Sequence, residues 1–261
     1  MKARLLSLCC LLSALLLNLL LTDLAAAAEL PVNDEASALV ISYHVAPLQR
    51  PALRRELEKS GLRQFQRWKN EGILKSYRIL FSRYADSDHW DAMALLTFSS
   101  SANVERWKIL EQTTPGGLTR KALALVRAIH SVPLVLARSN SAAETPANPV
   151  FLVIPYLTLV SMGDYLKYAD GYVIPQFDGW IGEAVLSQYE LWVGSFPAGR
   201  PWSAMVILAY QDEAALARRN AVVAKVRARL KEIPEWKAIS DNKKSVREEK
   251  LVVIADQISF R

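Results

Sequence analysis

Residues 64–71 read QFQRWKNE and residues 176–183 read QFDGWIGE, so a glutamine, a phenylalanine, a tryptophan and a glutamate recur after 112 positions. The match continues without a gap and gives twelve identities over positions 64–106. Two of the twelve are tryptophan pairs, and tryptophan is among the rarest residues in the chain. A repeat of this length predicts that the chain contains two copies of one structural unit.

Each copy has the same predicted order of elements. A β-rich run is followed by a long helix, then by two strands joined by a turn, then by further helical segments and a closing strand. In the first copy these elements are predicted at residues 39–45, 51–71, 73–84, 90–98 and 132–137, with helices starting after Ser101 and near Thr119. In the second copy they are predicted at residues 151–160, 163–182, 185–196, 202–210 and 251–258.

Three residues carry local signals for the helices. Gly72 is placed to end the first long helix in a left-handed conformation. Pro175 should kink or split the second long helix, because proline removes a backbone donor and clashes with the preceding turn. Asp212 is a good N-cap for a helix whose apolar stripe predicts core packing.

The order β-α-β-β-α-β defines the ferredoxin-like, or split βαβ, unit, in which helices cover one face of an antiparallel sheet. Here both faces of the third strand are apolar: one carries Trp90, Ala92, Leu96 and Phe98, and the other carries Met93 and Leu95. The second face therefore needs a cover. The chain resembles the dimeric α+β barrel superfamily, which covers it with the sheet of a second unit. The resemblance implies an α+β fold of two tandem ferredoxin-like repeats, with antiparallel sheets packed as a pseudo-dimeric α+β barrel.

The repeat and the pattern of residues 1–28 predict the domain organisation. Residues 1–28 have a basic start, an apolar run and small residues before Glu29, which is the layout of a secretory signal peptide. The first repeat is predicted at 29–138, a linker rich in Ser, Ala, Asn and Pro at 139–149, and the second repeat at 150–261. We expect signal cleavage, no stable membrane span afterwards, and a periplasmic or secreted protein.

Composition excludes several classes of function. The net charge of +6 is modest, and together with the export pattern it argues against a nucleic-acid partner. Both cysteines lie in the predicted signal peptide and the three histidines have no ligand-like spacing, so no metal site is expected. Phosphate-loop, serine-hydrolase and zincin motifs are absent from the sequence.

The resemblance also bears on cofactors. Relatives in this superfamily include cofactor-free oxygenases, small-molecule cyclases and haem enzymes. Chlorite dismutase and related haem proteins bind haem through a histidine of the second unit, and residues 151–261 contain none. Haem bound in that way is disfavoured, and we expect no cofactor.

Three residues are candidate catalytic groups. Glu71 and Glu183 end the repeated helix, where the helix dipole disfavours an anion, so each calls for an explanation. They could act as general bases in a cavity, although a buried structural link is the commoner role. His44 on the first strand, with Tyr156 as its counterpart at the 112-residue offset, resembles the acid–base histidine of some superfamily enzymes, although a structural histidine is commoner.

Candidate ligand-binding residues are mostly aromatic and lie mostly in the second copy: Tyr156, Gln176, Trp180, Tyr189 and Trp202, together with Gln64 and Trp68 of the first copy. They favour an exported protein that binds a small, partly apolar or aromatic molecule in a barrel cavity. The alternatives are a cofactor-independent enzyme of oxygenase or proton-transfer type, and a non-catalytic structural or interaction module. The protein is expected to be a monomer with an internal pseudo-dimer, or a homodimer.

Overall fold

The computed structural model describes residues 37–260, so the predicted signal peptide lies outside the described residues. The strands of the first half, residues 37–141, are β1 (Ser37–Val45), β2 (Ser76–Ser82), β3 (Ala92–Thr97) and β4 (Val126–Ser141). Those of the second half, residues 150–260, are β5 (Val150–Thr158), β6 (Leu186–Gly194), β7 (Ala204–Tyr210), β8 (Arg247–Glu249) and β9 (Val253–Gln257).

Two long helices, α1 and α4, follow the first strand of each half. Helix α1 consists of Arg50–Glu56, a π-helical turn Leu57–Gly61 and Leu62–Asn70, and α4 consists of Met162–Tyr168, a π-helical turn Ala169–Val173 and Ile174–Gly182. The other helices are α2 (Ser101–Thr113), α3 (Arg120–Leu123), α5 (Glu213–Leu230) and α6 (Pro234–Asn242). None of the helices in residues 37–260 has the length and apolarity needed to cross a membrane.

The strands close into one antiparallel barrel. The hydrogen-bonded order β4-β1-β3-β2 of the first half continues into β9-β5-β7-β6 of the second half, and β6 pairs with β4. Each half therefore contributes its strands in the same order. At both junctions, β2–β9 and β6–β4, the second strand of one half pairs with the last strand of the other half. Strand β8 lies outside this ring and extends the edge of β5 beside β9.

Three apolar cores follow from this closure. Alternate strand residues point outwards, and in each half they pack under that half's helices around the buried Trp68 and Trp180. The remaining strand residues fill the barrel interior, where Phe151, Trp192 and Met205 are among the largest. The middle of this barrel is therefore a packed core, since the interior of an eight-stranded barrel is narrow enough for side chains to fill.

The two π-helical turns occupy equivalent positions, because residues 57–61 and 169–173 differ by the repeat offset of 112. The sequence predicted that Pro175 would kink or split α4. In the structure Pro175 stands at the start of the segment after the π turn, and the helix continues. Helix α1 has the same turn without a proline, so proline is not the cause of the turn.

Several local predictions are confirmed. Gly72 has a φ of +68° after the end of α1, and the carboxylate of Asp212 accepts a hydrogen bond from the backbone N–H of Ala215 at 2.7 Å. Both predicted hairpins form antiparallel pairs. Strand β4 is longer than predicted and pairs with β6 as far as Ser141, so only residues 142–149 of the predicted linker lie outside strands.

The prediction that Tyr156 is the counterpart of His44 is wrong. Ala92 and Ala204 are equivalent positions, and their cross-strand partners are Tyr43 and Tyr156. Tyr156 therefore corresponds to Tyr43, because the connection from the first strand to the helix is one residue shorter in the second half. A one-residue slip moves a side chain to the other face of a sheet. Tyr156 consequently faces the helices, whereas His44 lies on the same face as Val40, which belongs to the barrel interior.

Candidate functional site

The second half contains a pocket of about 420 Å³ between its helices and the outer face of the barrel. Strand β5, helices α4 and α5 and the segment from β8 to β9 supply its fifteen lining residues. The walls are mainly apolar and aromatic, and polar groups stand among them. The apolar and aromatic lining residues are Leu152, Ile154, Tyr156, Val173, Phe177, Trp180, Leu216, Val252 and Ile254.

Gln176 is one of the polar residues that line this pocket. Its side-chain N–H donates to the carbonyl of Tyr172 at 2.7 Å, and that carbonyl also accepts from the indole N–H of Trp236 at 3.1 Å. The amide oxygen of Gln176 accepts from Nε of Arg227 at 2.7 Å. Gln176 therefore fixes the position of one guanidinium at the pocket.

Two further guanidiniums line the pocket. Arg247 lies over the ring of Tyr156, 3.9 Å from its centroid, and its Nε donates to the hydroxyl of Tyr168 at 3.0 Å. The Nε of Arg219 donates to the hydroxyl of Tyr210 at 3.0 Å. These contacts are made to neutral oxygens and aromatic faces, which hold the arginines in place without cancelling their charge.

Buried polar atoms without partners concentrate here. Among residues 37–260, the buried side-chain nitrogens and oxygens without a hydrogen bond are Nε1 of Trp180, Nη1 of Arg247 and the hydroxyl of Tyr165. Trp180 and Arg247 both line the pocket. Buried donors are rarely left unpaired, because each one loses its hydrogen bonds to water, so unpaired donors on two residues that line a pocket point to a missing acceptor.

The tyrosines around the pocket are neutral. Burial raises the pKa of Tyr156, and it raises the pKa of Tyr168 to about 12, in both cases against the opposing effect of Arg247. Burial likewise raises the pKa of Tyr165 and Tyr210. The phenol groups therefore supply no negative charge to balance the arginines at neutral pH.

The corresponding space in the first half is filled by the chain itself. A short 3₁₀ turn, Pro115–Gly117, inserts there, and the hydroxyl of Tyr43 donates to the carbonyl of Gly116. The side-chain N–H of Gln64 donates to the carbonyl of Gly117 at 3.1 Å, and Trp107 packs edge-on against Trp68 at 5.3 Å.

The two halves thus use equivalent residues differently. Gln64 and Gln176 are equivalent, as are Tyr43 and Tyr156. In the first half both side chains bond to carbonyls of the inserted turn. In the second half the long helix α5 passes over without such a turn, and Arg219 stands at the position of Trp107. The pocket is the space that the turn and the tryptophan occupy in the first half.

The structure brings together three of the residues predicted to bind a ligand, Tyr156, Gln176 and Trp180, and places the other four elsewhere. Tyr189 donates its hydroxyl to Asp178 at 3.0 Å, and Trp202 packs against the core of the barrel interior. Gln64 and Trp68 belong to the filled first half.

The candidate catalytic residues do not line the pocket. Glu71 is exposed and pairs with Arg67 on the surface, so the expectation that it lies in a cavity or forms a buried structural link is wrong. The helix ends at Asn70, and the side chain beyond its end turns to solvent. Glu183 accepts a hydrogen bond from Lys225 at 2.6 Å.

His44 is half-buried at one end of the barrel and lies edge-on to His130, with ring centroids 5.1 Å apart. Burial lowers its pKa, and His130 lowers it further. Within residues 37–260, no group of three or more His, Cys, Asp or Glu side chains is placed to hold a metal ion.

Sequence reasoning missed the arginines. Arg219 has a visible signal, because a tryptophan stands at the aligned position of the first copy. Arg247 has none, because it reaches the pocket through a short strand that joins β5 from about 90 residues further along the chain.

A larger cavity of about 930 Å³ opens at one end of the barrel. The linker residues 144–149 form one wall, and Arg78 and Glu190 form part of its base. Five of the charged side chains in its walls form ion pairs: Arg83 with Asp256 at 2.8 Å and with Glu213 at 2.6 Å, and Arg78 with Glu190 at 2.8 Å. This cavity lacks the unpaired donors that mark the pocket of the second half.

Comparison with known proteins gives structural relatives only. No protein-family model matches the chain, and no curated protein sequence is significantly similar to it. A proposed monooxygenase from Lactobacillus acidophilus is similar in structure, with a TM-score of 0.55 and 10% identity, and the match covers 86% of this chain and 95% of that one. An anthrone oxidase-like protein has a TM-score of 0.56 and 9% identity, with 88% and 94% covered.

A chlorite dismutase variant from Candidatus Nitrospira defluvii has a TM-score of 0.51 and 9% identity, with 87% of this chain and 92% of that chain covered. At these identities the likeness concerns the fold alone. All three matches extend over nearly the whole of both chains, so the entire barrel is shared.

Proposed function

Because the chain has the fold of the dimeric α+β barrel superfamily, in which known members act on or bind small molecules, we propose that it binds a small, partly apolar or aromatic molecule. The binding site is the pocket between the helices and the barrel in the second half, and not the barrel interior. The observation that carries this proposal is the difference between the halves. The first half fills the space with its own turn and Trp107, and the second leaves about 420 Å³ with unpaired donors at its wall.

The groups at the pocket favour binding over proton transfer. A general base must stand within hydrogen-bonding reach of the proton it removes. His44, Glu71 and Glu183 lie away from the pocket, the phenols around it are neutral, and Glu249 is the one carboxylate in its lining and is exposed. Oxygenase chemistry, which the relatives' names suggest for those proteins, remains the second candidate for this chain.

Binding can be tested with N-phenyl-1-naphthylamine, an uncharged dye that fluoresces in apolar sites. We expect one dye per chain, and loss of binding in Arg219→Trp, because tryptophan is the residue that fills this position in the first half. Arg218→Trp is the matched control, since Arg218 is exposed, adjacent and outside the pocket lining. Equal binding by both variants and the unaltered protein, with circular dichroism showing both to be folded, would refute the site.

We also propose that the two halves are tandem ferredoxin-like repeats, with repeats at 29–138 and 150–261 and a linker between them. The shared strand order, the equivalent π-helical turns and the 112-residue offset support this division. A protease site inserted after Ala147 should give two fragments that stay together on size exclusion. Fragments that unfold or separate at micromolar concentration would argue against two repeat units.

Export through residues 1–28 is proposed from the sequence pattern alone. Amino-terminal sequencing of protein recovered from outside the cytoplasm should begin at Glu29. Recovery of the protein only from the cytoplasm, with its first residues intact, would reject export.

A further inference from the structure

The pocket of the second half carries an excess of positive charge. Three of its fifteen lining residues are arginines, at positions 219, 227 and 247, and one is a glutamate. None of the three arginines makes an ion pair with a carboxylate within residues 37–260, and each bonds instead to a phenol or amide oxygen. The lining therefore has a net charge of +2, counted as three arginines minus Glu249.

Four other arginines that are partly or fully removed from water are neutralised. Arg50, Arg78, Arg83 and Arg138 are buried or half-buried, and each pairs with a carboxylate. A guanidinium that is partly desolvated without a counter-charge is unfavourable, because a buried charge needs a partner. Arg247 is half-buried, its Nη1 is buried and unpaired, and the tyrosines around it are neutral.

The second unpaired donor at this pocket is the indole N–H of Trp180, a side chain that is 3% exposed. The indole N–H and the guanidinium can donate hydrogen bonds but cannot accept them. The missing partner is therefore an acceptor, and beside a net positive lining it is an anionic one. The two unpaired donors match the two oxygens of a carboxylate, whereas a phosphate has three oxygens to satisfy.

We propose that the molecule bound in this pocket is a carboxylic acid with an apolar or aromatic body, whose carboxylate accepts hydrogen bonds from Arg247 and from the indole N–H of Trp180. Arg219 and Arg227, on helix α5, line the same pocket and attract the anion, and neither has an ion-pair partner within residues 37–260. This inference rests on the proposed function and assigns the chemical class of its ligand.

The test is a displacement assay with N-phenyl-1-naphthylamine as the reporter and three competitors that share a naphthyl body: 2-naphthoate, 2-naphthamide and 2-naphthyl phosphate. We expect 2-naphthoate to bind at least about tenfold more tightly than the uncharged amide, as one charge-assisted hydrogen bond provides. Arg247→Met should remove this preference, and Arg247→Lys should keep part of it. Arg218→Met, the matched control outside the pocket, should keep all of it.

The outcomes separate this inference from the proposed function. Displacement by the amide and the acid with equal strength would overturn the carboxylate and leave the binding pocket standing. Tighter binding of the phosphate would overturn the carboxylate in favour of a phosphate ester. An undiminished preference for the acid in folded Arg247→Met would overturn the role of Arg247. Failure of the dye itself to bind would reject the proposed function.

Discussion

Arg78 and Glu190 form an ion pair across the barrel between equivalent positions of the two halves, since they are 112 residues apart. Two hydrogen bonds run from the guanidinium of Arg78 to the carboxylate oxygens of Glu190, at 2.8 and 3.1 Å. In a symmetric pair of identical units this position would face its own copy, and like charges would meet. We therefore expect the single reversals Arg78→Glu and Glu190→Arg to destabilise the barrel strongly, and the double reversal to restore most of the loss.

The magnitude follows from the burial of the pair. The side chains of Arg78 and Glu190 are 20% and 11% exposed, so each single reversal leaves like charges that are largely removed from water. Breaking a buried pair costs about 3–5 kcal/mol, and partial exposure places this pair near the lower end, about 3 kcal/mol. That corresponds to a fall of about 6–12 °C in Tm for a chain of this size.

The double reversal should remain about 1–2 kcal/mol below the unaltered protein, because two neighbouring donors lose their acceptor. The indole N–H of Trp192 donates to Glu190 at 3.1 Å and the side-chain N–H of Gln188 donates to it at 3.0 Å, and an arginine can accept neither bond. Urea unfolding of the four proteins gives the coupling energy directly. Single reversals within about 0.5 kcal/mol of the unaltered protein, or a double reversal equal to the sum of the singles, would refute the reasoning.

Three further predictions concern stability. Gly117→Ala should lower the free energy of unfolding by about 2–4 kcal/mol, because Gly117 has a φ of +69° and an added Cβ would stand 2.8 Å from two aromatic rings. Gly72→Ala is the control, since Gly72 has a φ of +68° and an added Cβ there would have no atom within 4 Å. Its free energy of unfolding should fall by only about 1 kcal/mol in the same urea titration. Asp91→Ala should cost about 3–5 kcal/mol by leaving the guanidinium of Arg50 buried without its carboxylate, and a Tm unchanged by calorimetry would contradict this. Burial lowers the pKa of His44 below 6.5 in the folded protein, so the unfolded chain binds that proton more tightly, and stability should fall as pH falls from 6.5 through the folded pKa. His44→Gln should flatten this part of a Tm-against-pH curve, and an unchanged slope would show that other groups set it.

Much of the fold could be predicted because its signals are local or repeated. The helix end at Gly72 and the helix start at Asp212 depend on neighbouring residues only, and both are confirmed. The apolar faces of the third strand correctly predicted that the outer face packs under helices and the inner face needs a cover. The sequence pattern put Trp90 on the same face as Ala92, Leu96 and Phe98, whereas it packs against the core of the barrel interior, because it precedes the first residue of β3.

The candidate site was harder to predict for two physical reasons. The identities that establish the repeat begin at Gln64, after the point where the second half is one residue shorter, so the alignment could not reveal that Tyr156 matches Tyr43. The pocket also depends on an absence, since α5 has no counterpart of the turn Pro115–Gly117 that fills the first half. Packing of this kind is a tertiary property that neither propensity nor periodicity encodes.

The difference between the halves has an energetic consequence that favours a functional pocket over a packing defect. In the first half Trp107 is 3% exposed, and burial of an aromatic side chain of this size stabilises a protein by about 2–3 kcal/mol. The second half has Arg219 at this position and leaves the N–H of Trp180 unpaired, which costs about 1–3 kcal/mol. A tryptophan at position 219 would recover part of that loss, as Trp107 does beside Trp68 in the first half. Retention of the less stable arrangement in one half, beside a stable solution in the other, is expected where a ligand supplies the missing contacts.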